Sequence, residues 1–414
     1  MRVRSAVSPL RRGAVAPVAF MKPAALPTVD ALVADLRPED PVHCIRPAVL
    51  AATARDFVAA FPGDVLYAVK CNPDPAVLRA LWDGGVRHFD CASPAEVALV
   101  RTMFADAHIH FMHPVKARGA IREAWGRHGV RDFVLDTDAE LAKILWETGD
   151  HAGIGLIVRL ALPKGEAVLD LSGKFGAEAE EAVALLRAAR PHAVRLGVAF
   201  HVGSQCLDPL AWRRAMDVAR GVVRSAGVAI DIVDVGGGFP VAYPDVELPD
   251  FGAILAEIED GFDRLGQPNA RLWAEPGRAL VAAGGSVVVQ VQARRGDALY
   301  INDGVYGSLA DAGALAFRYP VRCLRPKGAD MGAAPDDVLL GFSFFGPTCD
   351  SADTMRGPFH LPADIGEGDW IEIFQLGAYG ACLRTGFNGF DRARIVEVSD
   401  SSQAVDEPVF AQAA

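Results

Sequence analysis

From Val65 to Pro276 the chain keeps one rhythm: short apolar or β-branched runs alternate with longer Ala- and Leu-rich runs of helical period. The short runs are Val65–Lys70, Val86–Cys91, Ile109–His113, Phe133–Asp136, Gly155–Arg159, Gly197–His201, Ile230–Val235 and Leu272–Glu275. Their length and β-branching predict strands. The runs Pro94–Phe104, Ala139–Glu147, Glu178–Ala189, Pro209–Ser225 and Phe251–Arg264 predict helices. Strand alternating with helix implies a parallel sheet. Eight such repeats predict a closed (β/α)8 barrel, with a doubly wound open sheet as the alternative.

The ends of these strands are more telling than their interiors. Lys70, Asp90, His113, Asp136, Arg159, His201, Gly236 and Glu275 stand there, and barrels build their sites at the carboxyl ends of strands. Asp136 and Asp138 read as helix caps instead. After about residue 282 the pattern changes. Val287–Ala293, Ala298–Ile301, Val338–Phe342, Trp370–Phe374 and Ile395–Val398 read as strands with Gly and Pro between them, an all-β C-terminal domain of barrel or sandwich type. The expected division is a disordered tail over 1–24, a segment 25–46 joining the β domain, a barrel over 47–281, the β domain over 282–400 and a loose tail over 401–414.

About half the residues (51 %) are apolar, enough for a large core. A net charge of -11 argues against nucleic acid, which needs basic patches. The seven cysteines include no CxxC pair, so neither a disulfide framework nor a structural zinc site is expected. A reducing, cytoplasmic setting fits, and no apolar run is long enough to span a membrane. The first 29 residues hold no acid, yet Pro9, Pro17, Pro23 and Pro27 spoil the amphipathic helix of a targeting segment. A disordered tail, or a true start at Met21, is the expected reading.

Five motifs carry chemistry. Lys70, in Leu66-Tyr-Ala-Val-Lys-Cys-Asn72, ends an apolar strand. Desolvation there is expected to lower its pKa and free an amine that attacks aldehydes; the plain alternative is a lysine snorkelling to solvent. Asp234-Val-Gly-Gly-Gly-Phe-Pro240 offers bare amides that can cradle a phosphate, or is simply a flexible turn. It is neither a P-loop nor a GxGxxG fingerprint. Glu275-Pro-Gly-Arg278 sets a carboxylate and a guanidinium at one mouth, or is a turn with a surface ion pair. Phe200-His-Val-Gly-Ser-Gln205 offers a stacking ring and a hydroxyl, or a satisfied core histidine. In Gly346-Pro-Thr-Cys-Asp-Ser-Ala-Asp353 the cysteine sits beside acids and suits a proton-donating thiol, while the acids suit cationic partners; a polar loop is the alternative. Lysine, phosphate loop, stacking residue and an acid for a ring nitrogen are together what a pyridoxal 5'-phosphate (PLP) site needs.

In these motifs the chain resembles the fold-type III PLP-dependent decarboxylases, which act on ornithine, lysine, diaminopimelate or arginine. The resemblance spans about Pro41 to Gly389 and is carried in order by Tyr67-Ala-Val-Lys70, Phe89-Asp-Cys-Ala-Ser93, His201-Val-Gly-Ser204, Gly236-Gly-Gly238, Glu275-Pro-Gly-Arg278, Cys349-Asp350 and Tyr379. Asn302-Asp-Gly-Val-Tyr-Gly-Ser308 and Gly346-Pro-Thr-Cys-Asp350 are most similar to the eukaryotic-type ornithine enzymes.

The resemblance implies a PLP-binding barrel, a β domain and a homodimer with shared active sites. It implies that Lys70 carries the cofactor, that Glu275 pairs with the ring nitrogen and that His201 stacks on the ring. Ser204, Gly236, Gly237, Gly238, Gly277, Arg278 and Tyr379 are expected around the phosphate, with Asp90 and Arg159 as polar support. Cys349, returning a proton to Cα, and Asp350, holding the distal ammonium, are expected from the partner subunit, with Tyr306 nearby. Lys174 and Asp353 are expected to pair between subunits. No metal is implied.

After Ser308 the chain departs from the ornithine enzymes. Where the family places a second acid for the distal amine, Leu309–Pro320 holds Asp311 alone, earlier than expected. Asp311 is therefore the expected second substrate acid. Ornithine ranks first as substrate, lysine or a mixed activity second, diaminopimelate and arginine behind. Two other classes are a racemase on a similar barrel, which uses a tyrosine base and lacks the Cys-Asp pair, and an inactive regulatory paralogue, against which intact Lys70, Cys349 and Asp350 speak.

Overall fold

The computed structural model describes residues 26–149, 153–163, 173–325 and 334–399. The expected terminal tails fall outside that range.

Helix α1 (Val29–Leu36) and strand β1 (Val42–Ile45) precede α2 (Pro47–Ala60) and the barrel. Among the described residues eight parallel strands then close on themselves: β2 (Asp64–Ala68), β3 (His88–Cys91), β4 (His108–Phe111), β5 (Asp132–Leu135), β6 (Gly155–Arg159), β7 (Arg195–Ala199), β8 (Ile232–Asp234) and β9 (Arg271–Ala274). Closure comes from β2 on β9, with Asp64 opposite Trp273 and Val65 opposite Ala274. The open doubly wound alternative is thereby excluded. Leu66, Met112, Val134, Ile157, Ala199, Ile232 and Trp273 fill the interior. The bulk of the core lies between strands and the outer helices.

Helices start where the sequence offers caps. Pro47, Pro75 and Pro94 each open a helix, where the missing N–H costs nothing. Ser93 Oγ accepts from the Glu96 amide at 3.3 Å, closing α4 (Pro94–Met103). The helix Asp138–Thr148 is capped by Thr137 and not by Asp136; the Asp136 carboxylate instead accepts from the Gly176 amide at 2.9 Å, tying two loops at the barrel mouth.

The remaining strands are β10 (Gly285–Arg295), β11 (Ala298–Ile301), β12 (Val321–Leu324), β13 (Leu339–Phe345), β14 (Thr354–Pro362), β15 (Trp370–Ile373) and β16 (Arg394–Glu397). They form a sheet ordered β12-β15-β10-β11-β13-β14, to which β1 adds by pairing antiparallel with β10 and parallel with β16. A buried polar knot fastens this junction. Glu372, fully buried, accepts from Arg46 Nη2 at 2.5 Å, Ser286 Oγ at 2.6 Å and Arg322 Nε at 2.8 Å. Among the described residues no helix is long and apolar enough to cross a membrane.

Candidate active site

The strand ends converge on a cavity of about 430 Å³ at the carboxyl mouth of the barrel. Lys70, Arg159, His201, Ser204, Gly237, Gly238, Glu275, Gly277, Arg278 and Tyr379 line it together. Lys70, His201 and Glu275 stand one or two residues beyond barrel strands and Arg159 ends β6, while the others lie further along the loops that follow. Lys70 itself lies on the short turn Val69–Cys71 after β2.

Lys70 is enclosed by protein yet 46 % exposed into the cavity, and its Nζ donates to Asp90 Oδ2 at 3.3 Å. The expected lowering of its pKa is not what the structure gives. The buried Asp90 carboxylate outweighs desolvation and holds the ammonium above its ordinary value. Burial was legible in the strand, but the counter-charge comes from the next strand, twenty residues on.

His201 is the neutral ring the sequence predicts. Burial first, then the charges of Arg159 and Lys70, push its pKa down to about 3. Its Nδ1 accepts from the Gly203 amide at 3.0 Å, which leaves the proton on Nε2. Glu275 lies across the cavity. Burial, with Asp234 and Asp90 near, drives its carboxyl well above the usual carboxylate range. A proton on Glu275 is what burial of several acids demands until a cation joins them.

The glycine triplet is a cradle. Gly236 takes φ +68°, and a Cβ there would come within 2.2 Å of the Phe200 carbonyl. At Gly237 a Cβ would meet the Glu275 carbonyl at 2.7 Å and His201 Nε2 at 3.2 Å. Side chains are thus shut out and backbone is left facing the cavity. Arg278 stands beside it, buried, with Nε lacking any partner among the described residues. Tyr379, held at φ +53° by an amide hydrogen bond to the Cys71 carbonyl, lies 5.0 Å from the guanidinium carbon.

Four expected site residues lie away from this cavity in the single chain. Asp311 is buried and paired to Arg278 at 2.9 Å, so it does not face the space a substrate would fill. Cys349, Asp350 and Tyr306 stand on the sheet side, with Cys349 exposed and the Tyr306 hydroxyl donating to Asp350 at 2.5 Å. That bond holds the Asp350 carboxyl below its usual range. Asp353 is enclosed within its own chain by the amides of Val305 and Thr348 and by Thr348 Oγ1. The sequence reading missed Tyr243, whose hydroxyl accepts from Arg278 Nη1 at 2.8 Å. Its place three residues after Phe-Pro of the glycine motif was the one available signal.

A lysine, a side-chain-free anion cradle with an unsatisfied arginine nitrogen, a neutral imidazole and a buried acid fit PLP: amine for the aldehyde, donors for the phosphate, ring for ring, acid for the pyridine nitrogen. The fold and site define a PLP enzyme on a (β/α)8 barrel. Residues 48–282 match the pyridoxal-binding domain of the pyridoxal-dependent decarboxylases, and the chain belongs to that family. An ornithine decarboxylase of Panagrellus redivivus is 34 % identical over 79 % of this chain and 78 % of its own length. A lysine/ornithine decarboxylase of Selenomonas ruminantium is 33 % identical over 82 % and 84 %. The crystal structure of a Vibrio vulnificus lysine/ornithine decarboxylase complexed with cadaverine superposes with a TM-score of 0.75 at 29 % identity, covering 90 % of this chain and 98 % of that one. The protein is a PLP-dependent decarboxylase of basic amino acids.

Proposed function

We propose that this enzyme decarboxylates L-ornithine to putrescine and carbon dioxide, a step of polyamine synthesis, as a cytoplasmic homodimer with shared active sites. The observation that carries the reading is a charge imbalance. Lys70, Arg159, Lys174 and Arg278 line the cavity against Glu275 alone. That suits a phosphorylated cofactor and a carboxylate, but a second ammonium on the substrate needs an acid the single chain does not put there. Asp350, kept ionised by Tyr306 on an open face of the sheet domain, is that acid when a second copy supplies it. The motifs Asn302–Ser308 and Gly346–Asp350 favour ornithine. Lysine or mixed activity is the second reading, supported by relatives of both specificities.

When bound, the cofactor supplies the sink for the electron pair left on Cα as carbon dioxide departs. This chain does the rest. Lys70 would hold the cofactor through its amine. Glu275 would hold a proton at the ring nitrogen, His201 would face the ring, and Ser204, Gly236, Gly237, Gly238, Gly277, Arg278 and Tyr379 would hold the phosphate. Asp90 and Arg159 orient Lys70 and the ring. The partner's copy of the Cys349 thiol returns a proton to Cα, and the neighbouring Asp350 fixes the distal ammonium.

Incubation with PLP and, separately, L-ornithine, L-lysine, L-arginine and meso-diaminopimelate, followed by product mass, tests this. Putrescine as main product is expected. Cadaverine as main product moves the assignment to lysine, and recovery of intact or racemised amino acid removes it.

A further inference from the structure

Asp311 stands on the turn Ala310–Ala312, between β11 and β12. Its carboxylate accepts from Arg278 Nη2 at 2.9 Å, with the two side chains 10 % and 4 % exposed. The other terminal nitrogen, Nη1, donates to the Tyr243 hydroxyl at 2.8 Å. The guanidinium carbon also lies 5.1 Å from the centre of the Phe317 ring and 5.0 Å from that of Tyr379. Arg278 is thus gripped at both terminal nitrogens and walled by rings, while Nε keeps an unused proton. Asp311 itself does not line the cavity.

We propose that Asp311 is a positioning residue for the cofactor phosphate: with Tyr243 it holds Arg278 charged and aimed before the phosphate arrives. The inference rests on Arg278 being a phosphate contact. A buried guanidinium without a counter-charge is expensive and turns toward water. Re-ordering it would then weaken every binding event, whereas a preset donor costs no reorganisation. Because the carboxylate grips the arginine outside the cavity wall, the phosphate meets donors at this point. Asp311 is equally withdrawn from substrate selection, since its Oδ2 is held by Arg278 and its side chain lies outside the cavity lining.

Full-length protein is stripped of cofactor and titrated with PLP and with pyridoxal, which lacks the phosphate. Asp311→Asn weakens PLP binding by about tenfold, the order of one lost charge-assisted hydrogen bond, and leaves pyridoxal binding unchanged. Asp311→Glu recovers part of the loss, and Tyr243→Phe shows a smaller loss of the same phosphate-selective kind. At saturating PLP, Asp311→Asn keeps the wild-type ratio of kcat/KM for ornithine over lysine. Unchanged PLP affinity, equal weakening of PLP and pyridoxal, or a changed substrate ratio overturns the proposal. Thermal unfolding of the cofactor-free variants monitors folding; should Asp311→Asn not fold, Tyr243→Phe carries the same ligand-selective test. Arg278→Ala separates the two levels. If it leaves PLP affinity untouched, the phosphate reading of Arg278 fails; if it weakens PLP while Asp311→Asn does not, only the role of Asp311 fails.

Discussion

Lys70 shows how far a neighbour can reverse what burial dictates. Its amine must lose a proton to attack an aldehyde, yet Asp90 at 3.3 Å holds that proton on. Asp90→Asn removes the stabilising charge, so the Lys70 pKa falls and a larger fraction of amine is neutral. The rate of covalent PLP attachment at pH 7, read by absorbance, is expected to rise by about tenfold for each unit the pKa drops; a slower rate would show that Asp90 acts as the proton acceptor. The same limit on local reading explains Asp311. A lone acid in a segment where a substrate acid is expected looks like that acid, and nothing in Leu309–Pro320 reveals that Arg278 claims it. The cavity lining was legible in part for the opposite reason: Lys70, Arg159, His201 and Glu275 stand at or just past barrel strands, and a closed barrel brings strand ends together.

Among elements, the amino-terminal side of the barrel holds a chain of titratable groups that do not line the cavity. Asp64, His88, His110 and Asp132 follow one another on β2, β3, β4 and β5, with His88 Nδ1 and His110 Nε2 3.0 Å apart and His110 Nδ1 3.1 Å from Asp132. Burial, then His110, lowers the His88 pKa from 6.5 to about 4. Unfolded chains therefore take up this proton as pH falls through 6.5, while the folded protein resists until about 4. Stability contributed by neutral His88 is present above that window and is lost across it. His88→Gln is expected to flatten the dependence of the urea midpoint on pH between 6.5 and 4; an unaltered slope would assign the acid lability elsewhere.

The polar knot at the sheet junction predicts a different variant. Glu372→Gln takes the shared charge from buried Arg46 and from half-buried Arg322, which keeps Asp30, and is expected to cost about 3–5 kcal/mol in denaturant unfolding without altering substrate preference. Neither the knot nor all its strands could be seen in the sequence. β12 (Val321–Leu324) is only four residues with Arg322 and Cys323 side by side at its centre, β14 carries Gly357-Pro358 inside it, and β1 is four residues between Pro41 and Arg46-Pro47. Such strands exist because partners pair with them, not because their own propensity is high. Likewise α5 (Arg118–Gly126), with Gly119 and Gly126 inside it, is settled by packing on the barrel, whereas α2 and α3 (Pro75–Asp83) share the Ala- and Leu-rich composition of the helices that announce themselves.

For the molecule as a whole, the proposed sharing of sites between two subunits makes a prediction that no single chain can. Lys70→Ala and Cys349→Ala are each expected to be inactive, but by disabling different halves of one site. Mixing them under exchange gives heterodimers with one intact site, so activity should return to about a quarter of wild type by statistics of random pairing. Absence of any recovery would place Lys70 and Cys349 in the same subunit's site.

β1 lies between β10 and β16, in register with Val288 through Val42 on one side and with Arg394 on the other. β1 leaves the ribosome well before β16, roughly 20–70 s earlier at ordinary elongation speed. The barrel is completed in that interval, while β1 waits as an unpaired edge that any other extended segment can seize. The nascent chain is therefore most vulnerable after its cofactor domain has formed, and a translation product cut short before Arg394 should be found on chaperones or in aggregates despite carrying a complete barrel.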